Sequence, residues 1–96
     1  METLAEEEFP EIYEQALKYF GEQAQACQAM EECGELIRVL NKAFNRKDDK
    51  YLLYVAEEIA DLEIVLEQLK RIPEISDFYK INKMIKLNKL AETIGG

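Results

Sequence analysis

The apolar positions of this chain recur at the spacing of amphipathic α-helices, and no segment shows the alternation of a convincing β-strand. The clearest stripe repeats every three or four residues, with Pro10 suited to a first helical turn and Gly21 suited to a helix end. Its members are Phe9, Ile12, Tyr13, Ala16, Leu17 and Phe20. The pattern predicts a first helix that buries one face.

A second helix is predicted over 22–45, where a polar cluster closes it. Asp48 or Asp49 is suited to the N-cap of a third helix, because a carboxylate there accepts a hydrogen bond from a free backbone N–H of the first turn. The third helix is predicted to extend to Arg71. The stripe expected to form its core face is Tyr51, Leu52, Val55, Ile59, Leu62, Leu66 and Leu69.

Pro73 predicts a break in the chain, and a fourth helix is predicted from Ser76 or Asp77 to Ile94, before the two C-terminal glycines. Four helices with short links predict an all-α, antiparallel four-helix bundle built from one domain, residues 1–96. A chain of this length buries only about two-thirds of its unfolded surface. Two of the helices are long and broadly apolar, so we expect the domain to assemble as an oligomer.

Two of the predicted helices each carry a pair of acids spaced three residues apart. Glu32 and Glu35 lie in the second helix, and Glu58 and Asp61 lie in the third. This spacing places both side chains of a pair on one helix face, about one turn apart. Antiparallel packing of the two helices would bring four carboxylates to one place, and Mg²⁺ prefers oxygen ligands of this kind.

These acids have two interpretations at this point. They are flanked by apolar residues, and an unpaired carboxylate in such a place costs several kcal/mol, so a metal ion would compensate them. Alternatively, they reach solvent or pair with basic side chains, as helix surface charges usually do. The basic candidates are Arg38, Lys42 and Lys70. Gly34, between the acids of the second helix, indicates either a close approach of backbone or ligand, or a packing glycine.

Composition narrows the chemistry. The net charge of −8 argues against binding of nucleic acid or of anionic membranes. The chain has no histidine, which excludes Ser-His-Asp catalysis, the usual zinc sites and an imidazole base. No signal peptide and no membrane span are expected, and Cys27 and Cys33, six residues apart on one helix, are expected to be reduced, buried thiols. Together these features indicate a cytoplasmic protein.

The acids also form a recognisable motif. Glu31-Glu32-x-x-Glu35, followed after 22 residues by Glu58-x-x-Asp61, resembles the EExxE…ExxD signature of the all-α nucleoside triphosphate pyrophosphohydrolases. That superfamily contains MazG, the dCTP pyrophosphatases, the dimeric dUTPases and phosphoribosyl-ATP pyrophosphohydrolase. The segments Met-Glu-Glu-Cys-Gly-Glu-Leu-Ile and Ala-Glu-Glu-Ile-Ala-Asp-Leu-Glu are similar to MazG-like chains as well, and the resemblance covers roughly 19–69 well.

The resemblance implies hydrolysis of a (deoxy)nucleoside triphosphate to the monophosphate and pyrophosphate, for house-cleaning or for control of the nucleotide pool. It implies Mg²⁺, with Mn²⁺ as a substitute, bound by Glu32, Glu35, Glu58 and Asp61. Glu31 would help to orient water, which places Glu31, Glu32 and Glu35 in the catalytic set. The substrate contacts it suggests are Phe20, Gln25, Gln28, Lys83, Lys86 and Asn88. It also implies a homodimer or a dimer-of-dimers tetramer.

Other functions stay open. The alternative for Phe20 is a core or interface residue, and the alternative for the basic run to which Lys83 and Lys86 belong is a solvated helix face. The whole chain can be a catalytically silent helical module that acts by oligomerising or by docking a partner helix. Within the same superfamily, phosphoribosyl-ATP hydrolysis is a further alternative, although the sequence around Glu31 matches it less well.

Overall fold

The computed structural model of the chain describes residues 3–95, and these contain helices and no β-strand. Met1, Glu2 and Gly96, which the predicted domain includes, lie outside the described residues. A single 3₁₀ turn, Glu6–Glu8, precedes four α-helices. These helices are α1 (Phe9–Phe20), α2 (Glu22–Leu40), α3 (Leu52–Leu69) and α4 (Pro73–Gly95). The all-α prediction is confirmed.

One glycine separates α1 from α2. Gly21 has a φ of 91°, a backbone conformation in which an L side chain is strained. Its N–H donates to the carbonyl of Leu17 at 2.9 Å, and its own carbonyl accepts from the N–H of Gln25 at 3.1 Å. Gly21 therefore ends one helix and begins the next, as the sequence predicts.

The link between α2 and α3 contains two short helical turns. Asn41–Asn45 continue α2 as a wider π-helical turn, so the predicted helical span to residue 45 is confirmed with a changed geometry. Asp48 then accepts a hydrogen bond on Oδ1 from the N–H of Lys50 at 3.1 Å. It caps the 3₁₀ turn Asp49–Tyr51, which leads directly into α3. Asp48 is thus a cap as predicted, but of the 3₁₀ turn, since α3 itself follows Tyr51 without a side-chain cap.

The predicted start of the fourth helix at Ser76 or Asp77 is wrong, because α4 begins at Pro73. Proline is suited to the first position of a helix, where its missing N–H has no intrahelical partner to lose. The N–H groups of Ile75 and Ser76 both donate to the carbonyl of Ile72 at 2.9 Å, which closes the first turn. The link between α3 and α4 is therefore only three residues long.

Helices α2 and α3 pack antiparallel and form the centre of the fold. Val39 and Ala43 near the end of α2 share a buried cluster with Val55 near the start of α3. At the opposite end of the pair, Gln25 at the start of α2 donates a hydrogen bond to Gln68 at the end of α3. Helix α1 packs against both.

The predicted core face of α3 is correct in part. Val55 is buried and Tyr51, Leu62 and Leu69 are half-buried, whereas Leu52, Ile59 and Leu66 are 46%, 43% and 40% exposed. Val65 and Gln68, which lie outside the predicted stripe, are buried. Each of the two helices carries more than one apolar stripe, and α2 presents the stripe with small residues, which permits close approach. The face of α3 that contains Glu58 consequently turns toward α2, and Leu52, Ile59 and Leu66 are left at the surface.

The four helices pack together unequally. Helix α4 contacts the body formed by α1, α2 and α3 at its first turns, where the ammonium group of Lys70 lies 4.7 Å from the ring centre of Tyr79. From Lys80 to the end of the described chain, every residue of α4 is exposed. The radius of gyration is 16.1 Å, against about 12.5 Å for a compact domain of this length. None of the helices within residues 3–95 is both long enough and apolar enough to cross a bilayer.

Candidate metal centre

Three acidic side chains meet where the middle of α2 faces the middle of α3. Glu32 on α2, and Glu58 and Asp61 on α3, each place one carboxylate oxygen within 4.8 Å of the others. Glu32 and Glu58 are half-buried, and Asp61 is exposed. The antiparallel pairing of α2 and α3 creates this meeting point, because Glu58 and Asp61 occupy one face of α3 and Glu32 lies opposite them.

Glu58 is the member of this group with an unsatisfied atom. Its Oε2 is buried and accepts no hydrogen bond from any donor in residues 3–95. The pKa of Glu58 is raised above its ordinary value of 4.5, first by a hydrogen bond shared with Glu32, then by burial, and then by the negative charges of Glu32, Asp61 and Glu35. A proton or a bound cation would relieve the repulsion among the carboxylates of this site.

Gln28 holds Glu32 in place. Its amide nitrogen donates to Oε1 of Glu32 at 2.7 Å, one helical turn further along α2. The sequence resemblance suggested Gln28 as a substrate contact, and the structure places it beside the carboxylates as a donor to one of them. The spacing of four residues between a glutamine and an acid is a signal for this bond, because such side chains are neighbours on a helix surface.

Glu35 lies outside the group of three. Its Oε2 accepts from the Nε and Nη2 of Arg38, at 3.3 and 3.2 Å, on the exposed side of α2. Pairing with Arg38 is one of the two interpretations that the sequence left open, and it holds for Glu35 in this structure. Glu35 is still near enough for its charge to contribute to the raised pKa of Glu58. Glu31 is exposed on α2.

The other basic candidates are engaged elsewhere. Lys42 donates to the hydroxyl of Tyr51 at 3.4 Å, and Lys70 forms an ion pair with Glu67. No ion pair among residues 3–95 involves Glu32, Glu58 or Asp61. The three carboxylates are therefore without a basic partner in the described part of the chain, in contrast to Glu35.

The remaining predicted substrate contacts are dispersed. Phe20 is exposed and lies edge-on to Tyr19, with ring centres 4.9 Å apart. Gln25 is buried, and its amide is used in the hydrogen bond to Gln68. On α4, the ammonium group of Lys83 lies 5.6 Å from the ring centre of Tyr79. Lys86 and Asn88 are exposed on the same helix, beyond its contacts with the body.

Two further expectations for α2 are not met. Cys27 and Cys33 are free thiols, as predicted, but both are exposed rather than buried, because they lie on faces of α2 that neither α1 nor α3 covers. No heavy atom lies within 4 Å of the position that a Cβ would take at Gly34, apart from the local atoms of the helix itself. Within this chain, Gly34 therefore marks neither a close backbone approach nor a packing contact.

The donor set of the triad fits a hard divalent cation. Three carboxylate oxygens from two rigid helices, one of them buried without a donor, offer the ligands that Mg²⁺ prefers and leave room for water. Comparisons of the chain with protein-family models, with curated proteins and with solved structures found no match. The motif and the geometry of the three carboxylates are therefore what indicates a metal site.

Proposed function

We propose that this chain is a Mg²⁺-dependent nucleoside triphosphate pyrophosphohydrolase of the MazG-like kind. The observation that supports the proposal most is the meeting of Glu32, Glu58 and Asp61 within 4.8 Å, without a basic partner in residues 3–95. A half-buried cluster of like charges is unfavourable unless a cation compensates it. The same three residues belong to the EExxE…ExxD motif, whose spacing also favours a metal site.

Each residue has a proposed role. Glu32, Glu58 and Asp61 hold the cation, and Gln28 fixes the orientation of Glu32 through its 2.7 Å hydrogen bond. The ion pair of Glu35 with Arg38 is exposed and therefore weak. When it opens, Glu35 becomes a further ligand of the cation. Glu31, exposed on the same helix, orients or deprotonates water. When bound, Mg²⁺ supplies charge neutralisation of the triphosphate and a bound water of lowered pKa.

The proposed substrate is a nucleoside or deoxynucleoside triphosphate, cleaved to the monophosphate and pyrophosphate. We place the activity in the cytoplasm, in house-cleaning or in control of the nucleotide pool. An acidic pocket binds the triphosphate anion only after a cation is in place, so the proposal requires that activity depend strictly on the metal. Phe20, Lys83, Lys86 and Asn88 stay proposed substrate contacts.

The proposal is tested by product analysis. Purified protein is incubated with each of the eight common NTPs and dNTPs, and with phosphoribosyl-ATP, in Mg²⁺ or in chelator. We expect the parent protein to release pyrophosphate and a monophosphate in the reactions with Mg²⁺ and not in those with chelator. The Asp61→Asn variant should release neither product. Glu57→Gln, the same kind of change at an exposed neighbour on α3, is the matched control and should retain activity. Equal turnover by Asp61→Asn and Glu57→Gln would contradict the site.

We also propose that the protein works as a homodimer or as a dimer-of-dimers tetramer. The accessible surface of the chain is 7876 Å², against about 5,700 Å² for a compact protein of this mass. The excess of about 2,200 Å² reaches the size that stable subunit interfaces bury. Apolar side chains surround the whole circumference of α4, a pattern typical of a helix that is covered on several sides.

Charge supports the same assembly. Helix α4 carries four lysines and three acids, whereas the rest of the chain carries eight basic and 17 acidic residues, so α4 of one protomer complements the acidic body of another. Light scattering coupled to size-exclusion chromatography should give a multiple of the protomer mass. Ile81→Glu with Ile85→Glu should shift it to a monomer, whereas Asn82→Glu on the same helix should not. A monomeric parent protein contradicts the assembly.

The exposed apolar surface also supports a second candidate function, a catalytically silent module that acts through helix association. This candidate predicts that Mg²⁺ leaves the melting temperature unchanged and that Glu32, Glu58 and Asp61 can each be neutralised without effect on function. The product analysis above separates the two candidates, since a silent module releases no pyrophosphate from any nucleotide.

A further inference from the structure

The contact between α2 and α3 contains one buried polar layer. Gln25 and Gln68 are only 7% and 4% exposed, and Nε2 of Gln25 donates to Oε1 of Gln68 at 2.6 Å. The amide nitrogen of Gln68 is also used, since it donates to the carbonyl of Ile64 at 3.2 Å. Apart from the carboxyl pair of Glu32 and Glu58, this is the only side-chain hydrogen bond within residues 3–95 that joins two of the four α-helices.

The rest of that contact discriminates poorly between alignments of the two helices. Its buried members are alanines and valines, which are small, similar in shape and without polar atoms to pair. They are Ala29, Val39, Ala43, Val55 and Val65. Apolar contacts of this kind are non-directional, so a displacement of one helix by a turn loses little of them. A buried polar pair is different, because a slip leaves its amides without partners and an unsatisfied buried amide is costly.

The amide layer and the carboxylate site share one alignment. Glu32 follows Gln25 by seven residues on α2, and Asp61 precedes Gln68 by seven residues on α3. Seven residues are two helical turns, about 10 Å, on each helix. In an antiparallel pair these equal offsets mean that the alignment that joins the two amides also places Glu32 opposite Asp61. A slip of four residues would bring Ala29 opposite Gln68 and would break both pairings.

We propose that Gln25 and Gln68 set the register of α2 against α3 and thereby position the three carboxylates. A slip of one turn moves the helices by about 5.4 Å, which exceeds the 4.8 Å span of the whole carboxylate group. A slip that brings Ala29 opposite Gln68 therefore moves Glu32 a further turn away from Glu58, and the three carboxylates no longer meet. Gln25 and Gln68 are positioning residues that touch neither cation nor substrate. The link to cation binding rests on the proposed function, whereas the setting of the register does not.

The test separates register from stability. Both glutamines are replaced in Gln25→Leu/Gln68→Leu, and replacement of both partners by apolar groups leaves stability nearly unchanged or higher. Spin labels at Ala24→Cys and Leu53→Cys, with Cys27 and Cys33 replaced by Ser, report the alignment, since these exposed sites lie roughly 25 Å apart along the helix axes. Labelled chains are diluted with unlabelled chains, so that only distances within one chain are measured.

We expect one distance in the parent protein, and in the leucine variant a second population displaced by about 5 Å. Mn²⁺ binding, followed by electron paramagnetic resonance on unlabelled protein, should weaken by roughly tenfold or more, as for supporting residues of other metal sites. Val55→Ala is the matched control: it removes buried apolar volume from the same contact, lowers the Tm, and should keep one distance and the parent Mn²⁺ affinity. If the leucine variant does not fold, Gln25→Met/Gln68→Met carries the test with side chains of matching length.

Two results would overturn the inference. One is a leucine or methionine variant that keeps the parent distance, because the amides would then not set the register. The other is a displaced register with unchanged Mn²⁺ affinity, because the register would then not position the carboxylates. If the proposed function is wrong, the parent protein binds no Mn²⁺. The distance measurement would still decide whether the amides set the register.

Discussion

Glu58→Gln should stabilise the cation-free protein and abolish its response to divalent cations. The raised pKa of Glu58 means that the folded chain binds this proton more tightly than the unfolded chain does. By linkage, the free energy of unfolding then falls as the pH rises above the ordinary value of 4.5 and through the raised pKa. Glutamine is neutral at every pH, so the variant should be more stable than the parent at pH 7, and the difference should vanish below pH 4.5.

The cation acts in the opposite direction on the parent. A ligand that binds only the folded state at one hundred times its Kd stabilises that state by about 2.7 kcal/mol. For a chain of this size, such a gain raises the Tm by roughly 10–20 °C. The variant lacks one of the three ligands of the proposed site and retains a buried carboxamide, so Mg²⁺ should raise its Tm by far less. The order of stability of the two proteins should therefore invert when Mg²⁺ is added.

Thermal unfolding followed by circular dichroism, at pH 4 and pH 7 and with Mg²⁺ or chelator, measures both effects. Glu57→Gln is the control, because it removes the same charge from an exposed position on α3 and should follow the parent under all four conditions. A Glu58→Gln protein that is less stable than the parent at pH 7 in chelator would refute the argument about charge repulsion. An equal rise of Tm in both proteins on addition of Mg²⁺ would refute the argument about the ligand.

Three smaller changes test the framework around the site. Gly34→Ala should raise the free energy of unfolding by about 1 kcal/mol in urea titrations, because its Cβ enters open space on a helix; a loss of stability would contradict this and would indicate a neighbour at that position. Glu67→Gln should cost about 0.5 kcal/mol at pH 7, since its side chain is 34% exposed and the ion pairs with Lys70 and Arg71 are screened. The pKa of Glu67 is lowered, first by the hydrogen bond from Lys70, so this difference should shrink as the pH falls below 4.5 and through the lowered pKa. A difference that is as large in acid as at pH 7 would contradict the assignment. Asp48→Ala should lower the free energy of unfolding by about 1 kcal/mol, because the cap of the 3₁₀ turn is lost. Asp49→Ala is the control, and equal losses in the two variants would contradict the capping role.

The helices and their ends were predictable from local chemistry. Gly21 ends α1 because it adopts a positive φ, and Asp48 caps the turn before α3 because its carboxylate accepts a free N–H. The start of α4 was predicted three or four residues too late, because a proline that interrupts a helix and a proline at the first position of one look alike in the sequence. Local patterns alone did not separate these two roles.

The choice of buried face was less predictable. Helix α3 has two apolar stripes, and periodicity favoured the one with the larger side chains, which contains Leu52, Ile59 and Leu66. The structure buries Val55 of that stripe together with Val65 and Gln68, which lie beside it, because the facing surface of α2 is built from small residues such as Ala29 and Val39. Which stripe packs depends on the partner helix, and a single helix pattern holds no information about its partner.

The place of the candidate site was predictable, but the full set of residues that belong to it was not. Spacing placed Glu32, Glu58 and Asp61 on faces that meet, and the structure brings these three together. Glu35 has the same spacing from Glu32 as Asp61 has from Glu58, yet it pairs with Arg38, which lies three residues further along α2. Gln68 was missed altogether. Its position two turns beyond Asp61, on the same helix face, was the available signal.

The central claim is that Glu32, Glu58 and Asp61 together bind one divalent cation. The most direct test is a crystal structure of the protein grown with Mn²⁺, with anomalous diffraction to locate the metal. We expect an anomalous peak between the three carboxylates, with an oxygen of each as a ligand. Electron density that defines the three side chains clearly while no peak lies between them would contradict it.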